Sequence, residues 1–360
     1  MCGRTCLTLD PDQVLCACKY PNEKLQDDAK QQKFATPEWR AEFNLGRRYQ
    51  ASYNIAPTDI TPVIVSAAHF AEAADDQKGT DRIVMPMMWG MIPPWHKGDY
   101  RKHGLTTNNC RLEHLMDSKL YRGPFKRGQR CVVVCEGFYE WQTTKQAKPS
   151  DREAYLLYVP QEADVKIHDK STWSPSNVKL LRMAALFDVW QDENGDKMYS
   201  YSIITFESTK IMSWMHYRMP AILETEQQMN DWLHFKHVSD SKALAALRPA
   251  TGLQWHRVGK LVNNSRNKSD ECNKPFEAAS KPEKPKGMLA WLTGNKQKLH
   301  QNKTTNDEVV IKEETAKRSV DEISPTAAES AAKRTRCAPI QIAPPALKSE
   351  PEIKLESTES

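Results

Sequence analysis

Apolar and polar positions fall into two regimes that change near Asn264. Before that point, apolar runs alternate with turn signals. Pro62-Val63-Ile64-Val65, Arg82 to Met88, Arg130 to Trp141, Tyr155 to Val159, Leu180 to Trp190 and Lys197 to Phe206 read as strands. The last two flank Asp192-Glu193-Asn194-Gly195-Asp196, whose Asn-Gly between apolar runs signals a hairpin. Helical spacing marks Asn109 to Lys119 through Leu112, Leu115 and Met116. Ser208 to Met215, Glu226 to Phe235 and Ser239 to Leu247 also read as helices. Residues 20–45 and 162–178 are polar and look like surface insertions away from any site. Hairpin strands with interspersed helices predict an α+β fold. Its core is expected to be a mixed, largely antiparallel, barrel-like sheet with flanking helices.

Beyond Asn264 the chain is rich in Lys, Glu, Ser, Thr and Pro, as in Lys281-Pro282-Glu283-Lys284-Pro285-Lys286. Such a segment buries too little apolar surface to offset its ordering entropy. The expected organisation is a folded domain over 1–264 and a disordered tail over 265–360. The overall hydrophobic share of 39% fits that division. A formal charge of +5 permits nucleic-acid binding without requiring it. The 9 cysteines show no pairing pattern and no zinc spacing, which points to a reducing compartment and to no metal or other cofactor. No run is long enough to span a membrane, and no signal-peptide core is present.

Candidate chemistry begins at Met1-Cys2-Gly3-Arg4. Removal of Met1 would leave Cys2 with a free amine beside its thiol. The two can attack an aldehyde in turn, as imine and then as a five-membered thiazolidine, because both sit on one residue. Gly3 allows unusual backbone angles, and Arg4 suits a phosphate or carboxylate. Tyr53-Asn54-Ile55-Ala56-Pro57-Thr58 reads as a shaped loop. Met88-Trp89-Gly90-Met91-Ile92-Pro93-Pro94-Trp95 reads as a rigid aromatic loop, whose Trp89 or Trp95 offers a ring to an unpaired base, against the commoner role of core packing. In Thr107-Asn108-Asn109-Cys110-Arg111, Asn109 stands where it caps a helix or binds ligand, with Arg111 on the first turn. Glu140, between Tyr139 and Trp141 at the end of an apolar strand, is a candidate proton-transfer carboxyl, or else a strand-end Glu reaching solvent. His216 is a candidate proton shuttle, or else a satisfied structural His, with Arg218 two residues on.

Taken in order, Met-Cys-Gly-Arg, Tyr-Asn-Ile-Ala-Pro, Trp-Gly-Met-Ile-Pro, Asn-Cys-Arg, Glu-Gly-Phe-Tyr-Glu-Trp and His-Tyr-Arg-Met-Pro resemble the SOS response-associated peptidase family from Met1 to about Asn264. The resemblance implies capture of abasic sites in single-stranded DNA as a covalent thiazolidine at Cys2, after Met1 is lost by self-processing or to an aminopeptidase. It further implies Asn109, Glu140 and His216 as active-site partners. Glu140 would position substrate and amine, and His216 would act as acid and base on the sugar oxygen. Arg4, Asn54, Arg111 and Arg218 would face DNA, and the Trp89–Trp95 loop would exclude a complementary strand. Cys110 departs from the family's usual small residue and is expected to be a spectator.

Two other functions fit the same residues: a cysteine peptidase using Cys2 with His216, and a non-covalent reader of modified bases. A monomer acting in the nucleus at replicating chromatin is expected. Lys333-Arg334-Thr335-Arg336 is the import candidate, and the tail would carry contacts to replication-fork proteins. Three segments, at Ile311, Leu347 and Ile353, fit a hydrophobic-Lys-x-Glu pattern similar to a SUMO acceptor, and Met288-Leu289-Ala290-Trp291-Leu292 is an apolar island.

Overall fold

The β-branched and aromatic runs form strands, and most of them pair antiparallel. The computed structural model describes residues 2–22, 33–40, 44–70 and 81–277. In chain order the strands are β1 (Thr5–Leu7), β2 (Tyr20–Pro21), β3 (Phe34–Ala35), β4 (Glu38–Trp39), β5 (Ser52–Ile55), β6 (Ile60–Ser66), β7 (Arg82–Trp89) and β8 (Asn109–Arg111). They continue with β9 (Arg130–Cys135), β10 (Gly137–Trp141), β11 (Ala154–Tyr158), β12 (Leu181–Gln191), β13 (Lys197–Glu207), β14 (Arg218–Pro220) and β15 (Gln254–Val258). The α-helices are α1 (Pro11–Ala17), α2 (Arg122–Lys126), α3 (Glu226–Leu233) and α4 (Asp240–Ala245).

One sheet runs β15-β11-β10-β1-β5, and a larger one runs β14-β13-β12-β9-β6-β7-β4 with β8 added beside β13. A parallel pairing of β13 with β7, Ser200 opposite Met88 and Tyr201 opposite Trp89, joins the two ends of the β13-β12-β9-β6-β7 path. The larger sheet thereby closes into a small barrel, which removes edges from those five strands. Its interior is packed by buried side chains such as Val63, Met85, Trp89, Val133, Ala185 and Ile203. The α+β, barrel-like architecture is the one the hydrophobic pattern predicts.

The single strand expected over 130–141 is two strands in different sheets, broken at Glu136. Glu136 is almost fully buried. Its carboxylate accepts the Thr8 N–H at 2.7 Å, the Thr8 hydroxyl at 2.6 Å and the Cys6 thiol at 3.4 Å, while its own N–H donates to the Cys6 carbonyl at 2.8 Å. Burial pushes its carboxyl above the usual range, and the Thr8 bonds pull it back. These bonds tie β1 to the point where the chain changes sheets.

Two expected helices are corrected. Asn109–Arg111 is a strand because its backbone pairs in parallel with β13 (Ile203 opposite Asn109), and only a 3-10 turn, Leu112–His114, follows. Tertiary pairing overrides the local spacing there. In place of the helix expected over 208–215, residues 210–215 form consecutive turns that bury Met212 and Met215. The helices expected at 226–235 and 239–247 are found, each opened by a Thr or Ser N-cap. Helix α1 was not anticipated, although Asp10 and Gln13 form a capping box and Pro11 sits at the first position.

The insertion at 162–178 is less superficial than its polarity suggests. It buries Val165, Ile167 and Val178, and Lys170 donates to the Thr8 carbonyl at 2.9 Å. Of the other insertion, residues 23–32 and 41–43 lie outside the described residues, as do all the tail motifs from Met288 onward.

The fold continues past Asn264. Cys272 and Asn273 are buried, and Val258 bridges to Pro275.

Replacing Glu136 by Ala strands the Thr8 donors inside the protein. We expect a loss of about 2–4 kcal/mol, read as a lower urea midpoint with unchanged slope. A midpoint equal to that of the unaltered chain would contradict the anchoring role.

Candidate active site

Strand β1 is the second strand from one edge of its sheet, between β10 and β5, so the residues before it are drawn inside. Cys2 is 1% exposed. Its carbonyl accepts the side-chain amides of Asn109 at 2.7 Å and Asn108 at 3.5 Å, and the Arg4 carbonyl accepts the Tyr139 N–H at 2.9 Å. Cys2 is therefore packed inside the domain and not set on an open chain end. Burial drives its thiol far above the ordinary range, and the nearby Glu140 carboxyl adds to that rise. Asn109 Oδ1 is buried with no hydrogen-bond partner among the described residues.

Glu140 lies on β10 opposite Tyr155 of β11 and is 3% exposed. Burial raises its carboxyl, and the positive chain terminus opposes that shift. His216 lies just before β14, also buried. Burial lowers its imidazole to about 4, with the positive chain terminus next in effect. Its Nδ1 accepts the Arg218 N–H at 3.0 Å, which assigns the proton of the neutral ring to Nε2. The exposed Tyr217 ring stacks on the imidazole at 4.7 Å.

Glu140 and His216 face one cleft of about 410 Å³, lined also by Trp141, Thr143, Ser150, Arg152 and Asn263. Cys2 does not line it but lies behind Glu140, close enough for their charges to interact. The site thus gathers a protonated thiol, a buried carboxyl and a neutral imidazole, each set by removal from water.

The other expected site residues divide. Asn54 is fully buried, and its amide donates to the carbonyls of Asn264 at 3.0 Å and Asn267 at 2.9 Å. Arg4 donates to Asn54 Oδ1 and to the Val262 carbonyl, both at 2.8 Å, and lies 5.6 Å from the Trp141 ring. Arg218 forms a two-pronged pair with Glu113 and donates to the Thr205 carbonyl at 2.8 Å. Trp89 is 0% exposed, stacks on Tyr201 and donates to the Asn108 carbonyl at 3.0 Å. In this structure the polar groups of Asn54, Arg4 and Arg218 and the Trp89 ring are engaged inside the protein, where they hold the walls of the site together.

Trp95 is 54% exposed, and Arg111 is exposed without a side-chain partner among the described residues. Cys110 is buried with its thiol pushed up by burial, which suits a spectator. Arg152, Asn263 and Asn108 are site residues that sequence reasoning missed. Arg152 sits in a polar stretch that reads as surface. Asn263 is brought in by Trp141, whose Nε1 donates to Asn263 Oδ1 at 2.7 Å.

The family model described as SOS response associated peptidase matches residues 1–265. The chain belongs to that family. This SOS response-associated peptidase chain is 37% identical over 309 residues to the abasic site processing protein HMCES of Rattus norvegicus, covering 81% of this chain and 82% of the relative. It is 28% identical over 225 residues to the abasic site processing protein YoqW of Bacillus subtilis, covering 62% of this chain and 85% of that one. A crystal structure of a protein from Bacteroides thetaiotaomicron aligns with a TM-score of 0.52 at 17% identity. That alignment covers 76% of this chain and 100% of the other, and it agrees with the family fold. No described helix is long and apolar enough to cross a membrane.

The imidazole carries a sign that can be checked. His216 titrates near 4 in the folded chain against 6.5 for an ordinary His, so the unfolded state binds more protons between those values. Stability therefore falls as pH drops through that window. His216→Gln removes one such group and should flatten the pH dependence of the denaturation midpoint between 4 and 6.5. A slope unchanged by the substitution would contradict a neutral buried imidazole.

Proposed function

We propose that this chain captures abasic sites in single-stranded DNA by a covalent bond through Cys2. The observation that carries the reading is the buried Cys2 beside Glu140, with neutral His216 facing the same cleft. Membership of the family and the names of its relatives agree with a DNA-lesion substrate.

Hydrolysis of the Met1–Cys2 bond frees the Cys2 amine. With its thiol held protonated, Cys2 attacks first through nitrogen. The amine adds to the C1′ aldehyde of ring-opened deoxyribose, and Glu140 accepts the proton that the nitrogen gives up. Loss of water leaves an imine. The thiol then adds across the C=N bond, its proton passing to nitrogen, and the thiazolidine ring closes. His216 Nε2–H hydrogen-bonds the sugar ring oxygen as the furanose opens, and the proton that this oxygen takes up is the one the C1′ hydroxyl loses, so the imidazole stays neutral. Asn108 and Asn109 fix the Cys2 carbonyl, so the nucleophile approaches from a set position. Arg152, at the mouth of the cleft and without a partner among the described residues, is the group free to take a phosphate. Arg111 and the exposed Trp95 extend the DNA-facing surface.

A second reading, removal of Met1 by the same site, is favoured by one observation: the buried Glu140 carboxyl lies close enough to Cys2 to act on it. The two readings describe successive uses of one cleft. We place both in the nucleus on the basic run at 333–336, which lies outside the described residues.

Intact mass spectrometry before and after exposure to an abasic oligonucleotide tests the proposal. The expected product lacks Met1 and gains the oligonucleotide minus one water. Cys2→Ala should give no stable adduct, and Cys2→Ser a hydrolysable imine trapped only by borohydride. A stable adduct from Cys2→Ala would end the reading.

Arg152→Ala should slow capture at sub-saturating DNA roughly tenfold and reduce its salt dependence. An unchanged rate would remove Arg152 from the DNA path.

A further inference from the structure

The sheet face that carries Glu140 does not stop at the cleft. The register places Glu140 opposite Tyr155, and Tyr155 opposite Arg257 of β15. Residues directly opposite in antiparallel strands point to one face, so these three form a row across it. The neighbouring row is Phe138, Leu157 and Trp255. Each row starts buried at β10 and ends exposed at β15, where Trp255 is 42% exposed.

Trp214, two residues before His216, closes the surface between the rows. Its ring meets Tyr155 edge-on at 5.3 Å and lies 5.3 Å from Trp255, tilted at 46°. Its backbone is held in place, since the Trp214 carbonyl accepts Gln142 Nε2 at 3.1 Å and the Thr144 hydroxyl. Nothing in the capture chemistry uses this three-ring cluster.

Cations border it. Lys145 and Arg257 share Glu153 at 2.9 and 3.1 Å, and Lys260 pairs with Asp151 at 3.5 Å. Arg152 adds a fourth cation beside the cleft. Along the exposed border of this face, the four cations outnumber the carboxylates Glu153 and Asp151. Aromatic rings among excess cations suit unpaired bases stacked above phosphates. A duplex keeps its bases away from such rings, and the centre of a protein interface is depleted in Lys.

We propose that Trp214, Tyr155 and Trp255 form a stacking platform for the nucleotides on one side of the abasic residue. The platform sets the direction in which single-stranded DNA leaves the cleft. The inference rests on the capture reading for the location of the lesion.

The test uses the full chain and two abasic oligonucleotides, one with an arm of about five nucleotides only 5′ of the lesion and one with it only 3′. Binding of an undamaged single strand is measured alongside. Trp255→Ala and Trp214→Ala should weaken apparent affinity on the order of tenfold for one arm orientation and for the undamaged strand. The other orientation should stay at the unaltered chain's affinity, and adduct yield at saturating DNA should not change. Trp255→Phe, which keeps a ring, should restore most of the affinity.

Equal affinities of the alanine variants and the unaltered chain overturn the platform, and so does an equal loss in both orientations. If the unaltered chain forms no adduct with either oligonucleotide, the capture reading fails. The undamaged-strand affinities still decide the platform in that case.

Discussion

The geometry depends on a strand of three residues being held inside a sheet. Strand β1 has few backbone bonds of its own, and the residues it leads from must be buried for the site to exist. The Glu136 carboxylate makes this possible by binding Thr8 and Cys6 where the main strand run switches from barrel to outer sheet. A buried carboxylate is costly unless its oxygens are satisfied, and here β1 supplies the donors. The same contacts that satisfy Glu136 therefore fix the position of Cys2. Asn108 and Asn109 complete the hold from β8, which rests on the barrel strand β13.

Removal from water then assigns the protonation states. Thiol, carboxyl and imidazole all shift toward their neutral forms, and burial is the largest cause for each. Burial thus holds the thiol and the imidazole neutral, raises the affinity of Glu140 for a proton, and leaves no thiolate ready for unrelated electrophiles. Arg218 supports the arrangement from behind: its N–H fixes the imidazole while Glu113 and Thr205 absorb its charge.

Much of this was legible in the sequence. Cys2, Asn109, Glu140 and His216 were singled out as chemistry-bearing residues; the structure bonds Asn109 to the Cys2 carbonyl, sets Cys2 near Glu140, and puts Glu140 and His216 on one cleft. The errors share a physical cause. Asn109–Arg111 reads as a helix because periodicity reports local spacing, whereas its pairing partner lies more than ninety residues away on β13. Motif position likewise reveals nothing about burial, and both Trp89 and Asn54 are fully enclosed. Arg152 and Asn263 stayed hidden because each is polar in a polar stretch, and only Trp141 and the sheet register bring them to the cleft. Glu136 was passed over because the apolar residues around it read as one continuous strand.

The bonds from Arg4 and Asn54 to the carbonyls of residues 262, 264 and 267 bear on the order of events during synthesis. The two ends of the domain are mutually required. A nascent chain has its terminal cysteine outside the ribosome early, yet the groups that seat it arrive last. Until that closing segment emerges, the Arg4 and Asn54 polar groups must be satisfied by water, and the cleft wall that contains Asn263 is missing. The enclosure of Cys2 therefore belongs to the finished domain, and an incomplete translation product lacks the wall that residues 262–267 supply.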